Sequence, residues 1–211
     1  MAGVRSSRLT GGWGAATEWW LIVLESNRIA PIGAARPTPF SHCPPLRRRL
    51  RLSHALPGCA VLLTELLSPD RVVVPLSVGD RHAAIAALTR KLADLANAEY
   101  NDVLAAVLER ESVQSTGIGF GVAIPHGRCA AVHELTMVAG VTPAPVPFDA
   151  IDGEPVRLVF LIVGPEASAG LHVKILSRIA RLVRRDTVRQ RLLEATTADE
   201  FYNVLLDAEA H

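Results

Sequence analysis

Cysteine and aromatic residues are scarce in this chain, and it has no long apolar run. Its 211 residues include three cysteines, and aromatic side chains make up 5% of them. Three widely spaced cysteines cannot build a disulfide scaffold and are typical of a reducing compartment. The N-terminal apolar run Trp19–Leu24 has six residues, whereas a membrane span needs about 20 and a signal peptide needs a longer apolar region. We therefore predict a cytoplasmic protein without direct membrane insertion.

Net charge is also nearly absent, because 22 basic residues face 21 acidic ones. A charge of +1 gives no general basic field, so we expect no nucleic-acid partner. The balance is uneven along the chain. Residues 1–55 hold eight arginines against two glutamates, a net of +6, and the remainder carries 14 basic and 19 acidic side chains, a net of −5.

The basic N-terminal segment has scattered prolines and no sustained hydrophobic period. Such a segment buries too little surface to offset its ordering entropy. We predict that residues 1–60 are a mostly unstructured extension outside the fold. Arg47–Arg49 with Arg51 could bind nucleic acid or anionic lipid, but a solvated basic linker, or residues upstream of the true translation start, is favoured because short basic runs are weak motifs.

Helical spacing begins after this segment and defines a domain predicted over residues 64–207. Apolar residues recur at three- and four-residue steps after Asp80, after Asp102 and over 171–184. Asp80, Asp102 and Asp186 are predicted N-caps, and Thr197 with Glu200 is a predicted capping box.

Apolar, β-branched runs separate these helices. The run 155–163 is almost unbroken, which is typical of a central strand covered on both faces. Strands are also predicted at 122–124 and 135–141, with a proline-rich connection over 142–152. The alternation indicates an α/β fold, a three-layer sandwich in which a mixed β-sheet is flanked by helices.

One segment, Ser115 to Arg128 (STGIGFGVAIPHGR), has the composition of a phosphoryl-binding site. Its glycines permit tight turns, and Pro125 restricts the backbone just before His126. Ser115, Thr116, His126 and Arg128 are competent phosphate partners, and the backbone N–H groups of 117–121 could join them. No carboxylate occurs from Ser112 to His133, which suits a bare phosphoryl group better than Mg²⁺.

Other chemistries fit this segment less well. The glycines match neither a P-loop nor a dinucleotide-binding motif. His126, Cys129 and His133 match no zinc spacing, so we expect no metal and no cofactor. Cys129 could be a nucleophile, but a small half-buried residue is the favoured interpretation.

The motif GxGxGVAIPHGR, preceded by a helix that ends in Glu-Arg-Glu-Ser, resembles the type-2 enzyme IIA domains of the phosphoenolpyruvate-dependent phosphotransferase system. This is the fructose/mannitol class, which includes nitrogen-regulatory IIA proteins. The resemblance continues through PFDAIDGEPVRLVFLIVGP and GLHVKILSRIARLVR. Residues 1–60 have no counterpart in it.

The resemblance implies roles for three residues. His126 corresponds to the histidine that accepts a phosphoryl group on Nε2 from the phosphocarrier protein HPr and passes it to a partner, usually a IIB domain. His172 corresponds to a second histidine beside that site, and Arg110 to a nearby arginine. For His172 alone, a satisfied histidine on a helix face would be the simpler interpretation, and Arg110 could equally be a helix C-terminal cation.

The resemblance thus predicts a phosphotransferase that is a phosphoryl carrier for sugar uptake. The alternative is a regulatory module in which phosphorylation of His126 controls binding to a partner protein. For either role, an apolar edge formed by Phe120, Val122 and Ile124 is the predicted docking surface. A degenerate, non-enzymatic relative is disfavoured because His126, His172 and Arg110 are all present.

Overall fold

The computed structural model of the protein describes residues 61–210. Five α-helices and six strands form this part of the chain, with three short 3-10 helices. The helices are α1 (Arg81–Ala96), α2 (Tyr100–Val113), α3 (Ala169–Val183), α4 (Asp186–Glu194) and α5 (Ala198–Ala210). The strands are β1 (Val72–Val73), β2 (Gly117–Gly119), β3 (Val122–Ala123), β4 (His126–Arg128), β5 (Thr136–Val146) and β6 (Val156–Gly164). The predictions for 1–60, including the basic run, lie outside the described residues.

The six strands form one mixed sheet in the order β1-β5-β6-β3-β2, with β4 also paired to β6. Strand β6 is central, as its unbroken apolar run predicts. It pairs antiparallel with β5 on one side and parallel with both β3 and β4 on the other. The short strands β3 and β4 therefore lie end to end along β6, separated by Ile124 and Pro125.

Apolar side chains alternate between the two faces of the sheet and form two cores. Leu158, Phe160 and Ile162 pack with α3, α4 and α5, while the residues between them pack with α1 and α2. This period of two is the expected result of covering both faces of a strand. The predicted three-layer sandwich with a mixed sheet is confirmed.

The predicted helix caps are partly confirmed. Asp80 caps α1 by accepting the N–H of Ala83 at 2.8 Å. The predictions for Asp102 and Asp186 are wrong, because α2 and α4 begin earlier, after Glu99 and Arg185. Both aspartates instead lie in a first helical turn, where a negative charge still favours the helix dipole.

The predicted capping box is half formed. The Thr197 hydroxyl accepts the N–H of Glu200 at 3.2 Å. The Glu200 carboxylate does not return this bond and instead accepts the N–H and hydroxyl of Thr196, each at 2.8 Å. The Glu200 side chain therefore binds Thr196, one residue before Thr197, at the start of α5.

Strand β5 is longer than predicted, because it continues through Pro143 and Pro145 to Val146. Its outer neighbour β1 pairs only with Ala139 and Gly140, and the pairing with β6 shifts register between Val141 and Val146. An unpaired edge tolerates proline because no ladder N–H is lost there. The predicted connection therefore starts after Val146 rather than at Thr142.

The first described residues are anchored to the last helix. Leu63 and Leu67 are buried in the core formed with α3–α5. The buried carboxylate of Glu209 on α5 accepts the N–H groups of Leu63 and Thr64 at 2.8 and 3.0 Å, and the Thr64 hydroxyl at 2.8 Å. Arg178 of α3 donates to the same carboxylate at 2.6 Å. Within residues 61–210, no helix has the length and apolarity required to cross a membrane.

Candidate functional site

His126 lies at the start of β4, beside Ile162 of the central strand. The carbonyl of Pro125 accepts the N–H of Ile162 at 3.0 Å, so the backbone before the histidine is held against β6. Nδ1 of His126 lies 2.8 Å from the carbonyl oxygen of Ile124. Because a carbonyl oxygen can only accept, Nδ1 carries the proton and Nε2 keeps its lone pair. The side chain is half-buried and its nucleophilic nitrogen is Nε2.

His172 lies in the first turn of α3 and faces His126. The two ring centroids are 5.5 Å apart with an interplanar angle of 65°, an edge-on arrangement. His172 is 4% exposed, and neither of its ring nitrogens has a hydrogen-bond partner among residues 61–210. Buried polar atoms without partners are rare in folded proteins and costly, so a functional origin is favoured. The structure does not show the satisfied helix-face histidine that was the simpler alternative.

Burial keeps both imidazoles neutral. Burial lowers the pKa of His126 to about 4, against the opposing effect of its bond to Ile124, and the charges of Arg110 and Arg128 lower it further. Burial lowers the pKa of His172 to about 3, with smaller contributions from His126 and Arg128. At pH 7 both rings are therefore uncharged, which preserves the lone pair that a nucleophile needs.

Arg110 lies half-buried in the last turn of α2. Its Nη1 donates to the carbonyl of Gln114 at 3.0 Å, just beyond the helix end. Burial lowers the pKa of Arg110, but a guanidinium stays charged in proteins. Its charge also acts on His126. Arg110 thus closes the helix C-terminus and adds positive charge at the site.

Two of the predicted phosphate partners are occupied by the protein itself. The Ser115 hydroxyl donates to the carbonyl of Phe148 at 2.6 Å. The Thr116 hydroxyl is buried and donates to the carboxylate of Glu111 at 2.5 Å. Ser115 and Thr116 therefore brace the loop, and both of their hydroxyl protons are already donated within the protein. Sequence reasoning missed Glu111, which lies one residue outside the carboxylate-free segment.

Arg128 follows His126 by two residues in β4 and is exposed. It forms an ion pair with Glu166 at 2.6 Å. Glu166 lies in the short 3-10 helix that precedes α3. The segment from Ser112 to His133 has no carboxylate, but the fold brings the Glu166 carboxylate to Arg128. Arg128 remains close enough to His126 and His172 to lower the pKa of both.

The glycine turn serves the loop rather than a bound anion. Gly119, Phe120 and Gly121 all have positive φ, and the N–H of Phe120 donates to the carboxylate of Asp152 at 2.8 Å. A Cβ on Gly119 would lie 2.7 Å from that carboxylate. The Phe120 N–H is therefore occupied by the Asp152 carboxylate rather than free for a phosphoryl oxygen.

The predicted apolar docking edge is also corrected. Val122 and Ile124 are 0% and 1% exposed and belong to the core. Phe120 is 53% exposed, and the guanidinium of Arg189 lies 5.1 Å from its ring centroid. Two of the three residues therefore cannot meet a partner.

Cys129, considered above as a nucleophile or a zinc ligand, lies in the core. Cys129 is a free cysteine, 8% exposed, and packs in the core with α1 and α2. Its surroundings are apolar, as for a small core residue. Over the range 61–210, no three histidine, cysteine or carboxylate side chains are grouped so that they could hold a metal ion.

Known proteins resemble this chain in sequence and in fold. The sequence model of the family described as "Phosphoenolpyruvate-dependent sugar phosphotransferase system, EIIA 2" matches residues 65–208. A nitrogen regulatory protein of Bradyrhizobium diazoefficiens is 34% identical over 143 residues, which are 68% of this chain and 94% of the relative. The fructose-specific EIIABC component of Bacillus subtilis is 39% identical over 100 residues, 47% of this chain and 16% of the relative.

A solved structure shows the same fold. The crystal structure of nitrogen regulatory protein IIA-Ntr from Neisseria meningitidis superposes with a TM-score of 0.65 at 34% identity. The match covers 68% of this chain and 98% of that one.

Proposed function

The chain belongs to the EIIA type-2 family of the phosphoenolpyruvate-dependent sugar phosphotransferase system, and from this premise we propose that it is a phosphoryl carrier that uses Nε2 of His126. The donor is an HPr-type phosphocarrier protein. The observation that supports this most directly is the pairing of His126, whose Nδ1 is bound to the Ile124 carbonyl, with the unsatisfied ring of His172.

In the proposed transfer, Nε2 of neutral His126 attacks the phosphorus atom of a phosphohistidine on the donor. The bond from phosphorus to the donor nitrogen breaks, its electron pair stays with that nitrogen, and a bond from phosphorus to Nε2 forms. The His126 ring gains positive charge as its lone pair is used. The Ile124 carbonyl, 2.8 Å from Nδ1, stabilises that charge by accepting the Nδ1–H bond.

The surrounding residues stabilise the phosphoryl oxygens. Phosphoryl transfer passes through a loose state with charge on those oxygens, so positioning and nearby donors supply most of the catalysis. His172 supplies an imidazole N–H, Arg110 and Arg128 supply positive charge, and the N-terminal end of α3 adds a favourable dipole. His172 is neutral before transfer, and a dianion beside it favours its protonation.

Onward transfer to the IIB partner of a sugar permease would make the protein a component of sugar uptake. The carrier would then act in the cytoplasm and need no cofactor, because the phosphoryl group moves between protein nitrogen or sulfur atoms.

A second candidate function is regulatory, and one observation favours it. The Bradyrhizobium diazoefficiens and Neisseria meningitidis relatives, each 34% identical to this chain, bear the name nitrogen regulatory protein, and the match covers 94% and 98% of their length. In this role, the phosphorylation state of His126 would control binding of the domain to a partner protein. Both functions use the same histidine.

The test is transfer of labelled phosphate from phosphorylated HPr, with peptide mapping of the label. The wild-type protein is expected to carry acid-labile label on His126, and His126→Ala to carry none. His133→Ala, which changes an exposed histidine, is the matched control and should label normally. Label that persists in His126→Ala would refute the assignment. Discharge of labelled protein onto a fructose-class IIB domain then favours transport, and failure to discharge favours regulation.

A further inference from the structure

Glu111 is a buried carboxylate that the proposed transfer does not use. It lies in α2, and its side chain is 5% exposed. The Thr116 N–H lies 3.2 and 3.1 Å from its two oxygens, and the Thr116 hydroxyl donates to it at 2.5 Å. Arg81 of α1 places Nη1 3.7 Å from the same carboxylate. The carboxylate therefore binds the loop after α2 at one residue, Thr116.

Hydrogen bonds continue from Thr116 to the nucleophile. The carbonyl of Thr116 accepts the N–H of Ile124 at 3.0 Å. The carbonyl of Ile124 in turn accepts Nδ1–H of His126 at 2.8 Å. We call these three links, from Glu111 through Thr116 and Ile124 to His126, the Glu111 chain. No other polar side chain takes part between the carboxylate and the imidazole.

The geometry points to Glu111 as a positioning residue that fixes the tautomer of His126 through the Glu111 chain; this inference rests on the proposed phosphoryl transfer. A histidine nitrogen is protonated according to the hydrogen bond that the other nitrogen makes. If Ile124 is no longer held, its carbonyl can turn away from Nδ1. The proton can then move to Nε2, where it blocks the lone pair that must attack phosphorus.

Backbone geometry makes this dependence local. Ile124 lies at the break between β3 and β4 and has no register partner in β6, and Pro125 after it has no N–H to donate. The N–H bond to Thr116 holds Ile124 at that break. Glu111 hydrogen-bonds to Thr116, and its charge also acts on Arg110 of the site.

Glu209 provides a matched control inside the same protein. Its side chain is 4% exposed, and it accepts a threonine N–H, the hydroxyl of that threonine, and an arginine N–H. It makes the same kinds of contact as Glu111, and its partners Leu63, Thr64 and Arg178 take no part in the Glu111 chain. Glu209→Ala therefore measures the effect of losing such a carboxylate on stability alone.

The experiment measures the His126 tautomer by nitrogen-15 NMR of the imidazole, and the rate of label transfer from phosphorylated HPr, in full-length proteins. Wild type and Glu209→Ala are expected to show Nδ1–H with unprotonated Nε2 and equal rates. Glu111→Ala is expected to show a clear Nε2–H population and transfer slowed about tenfold or more, the scale of effect of lost positioning. Glu111→Gln keeps an acceptor oxygen for the Thr116 N–H and should restore most of both readouts.

The outcomes separate the inference from the proposed function. Glu111→Ala with the wild-type tautomer, or a shifted tautomer with an unchanged rate, would overturn the inference. If Glu111→Ala does not fold, Glu111→Asp keeps the charge beside Arg81 but retracts the oxygens by one methylene, and it must shift the same two readouts. Absence of label from the wild-type protein would refute the proposed function, while the tautomer comparison would still decide the role of Glu111.

Discussion

Replacing His172 by leucine should make the protein more stable and less active. Leucine fills a similar volume and removes the two ring nitrogens that are buried without partners. An unsatisfied buried polar group costs about 1–3 kcal/mol. We therefore expect the free energy of unfolding at pH 7 to rise by about 1–3 kcal/mol, and Tm to rise by about 2–4 °C for each kcal/mol in a domain of this size.

Acid should widen this difference. The pKa of His172 is about 3 in the folded protein and about 6.5 in an unfolded chain. Between these values the unfolded state binds a proton that the folded state does not, so wild-type stability is lost as pH falls from about 6.5 towards 3. At pH 5 this one group costs the wild type about 2 kcal/mol, a penalty that His172→Leu lacks. His126 is present in both proteins, so most of its own contribution cancels.

The assay is urea unfolding at pH 7 and pH 5, paired with label transfer from phosphorylated HPr. Loss of one charge-assisted donor at such a site slows the reaction by about 10²–10³-fold. His133→Leu is the control, because His133 is exposed and its loss should change neither quantity. A His172→Leu protein that is less stable than wild type, with no widening at pH 5 and undiminished transfer, would refute the reasoning.

Truncations should separate the extension from the fold: removing residues 1–57 should leave Tm within about 5 °C of the full chain. Removing 1–67 also takes away buried Leu63 and Leu67 and should cost about 4 kcal/mol or more in chemical denaturation; equal stability of the two truncations would contradict this. Arg110→Lys keeps the positive charge but not the planar pair of donors, so the rate of transfer should fall about tenfold with unchanged Tm. An unchanged rate would mean that Arg110 serves only the end of α2. Cys129→Ala should accept label at the wild-type rate and lose about 1 kcal/mol of stability. Abolished transfer would instead support the hypothesis that the Cys129 thiol is the nucleophile.

Features with a local cause were predictable from the sequence. Strand β6 is a continuous apolar run, and the Asp80 cap depends on residues within one helical turn. Helix starts at Asp102 and Asp186 were misplaced because an aspartate in the first turn is as favourable as one at the cap. Strand β5 was shortened because its prolines are permitted only by the absence of a neighbouring strand, and sequence alone does not show an edge.

The site was predictable as a set of residue types but not as a set of contacts. His126 and His172 are brought together, as the family resemblance implies. The use of Thr116 by Glu111, and of the glycine turn by Asp152, depends on where the loop folds back. A segment without carboxylates can still contact the carboxylates of other segments, as Glu111 and Asp152 do here.

The contact of Glu209 with Leu63 and Thr64 joins residues 146 and 145 positions apart in the chain. The first and last elements of the described domain are therefore in direct contact. A unit whose two ends meet can be inserted into a longer polypeptide without stretching the host, and new ends can be cut at an exposed loop while the old ones are joined by a short linker. The Bacillus subtilis relative, of which the matched region is 16%, has a similar region as one part of a much larger chain. The Glu209 carboxylate, which bonds the first residues of the fold to its last helix, thus also makes the domain suited to insertion into a larger chain.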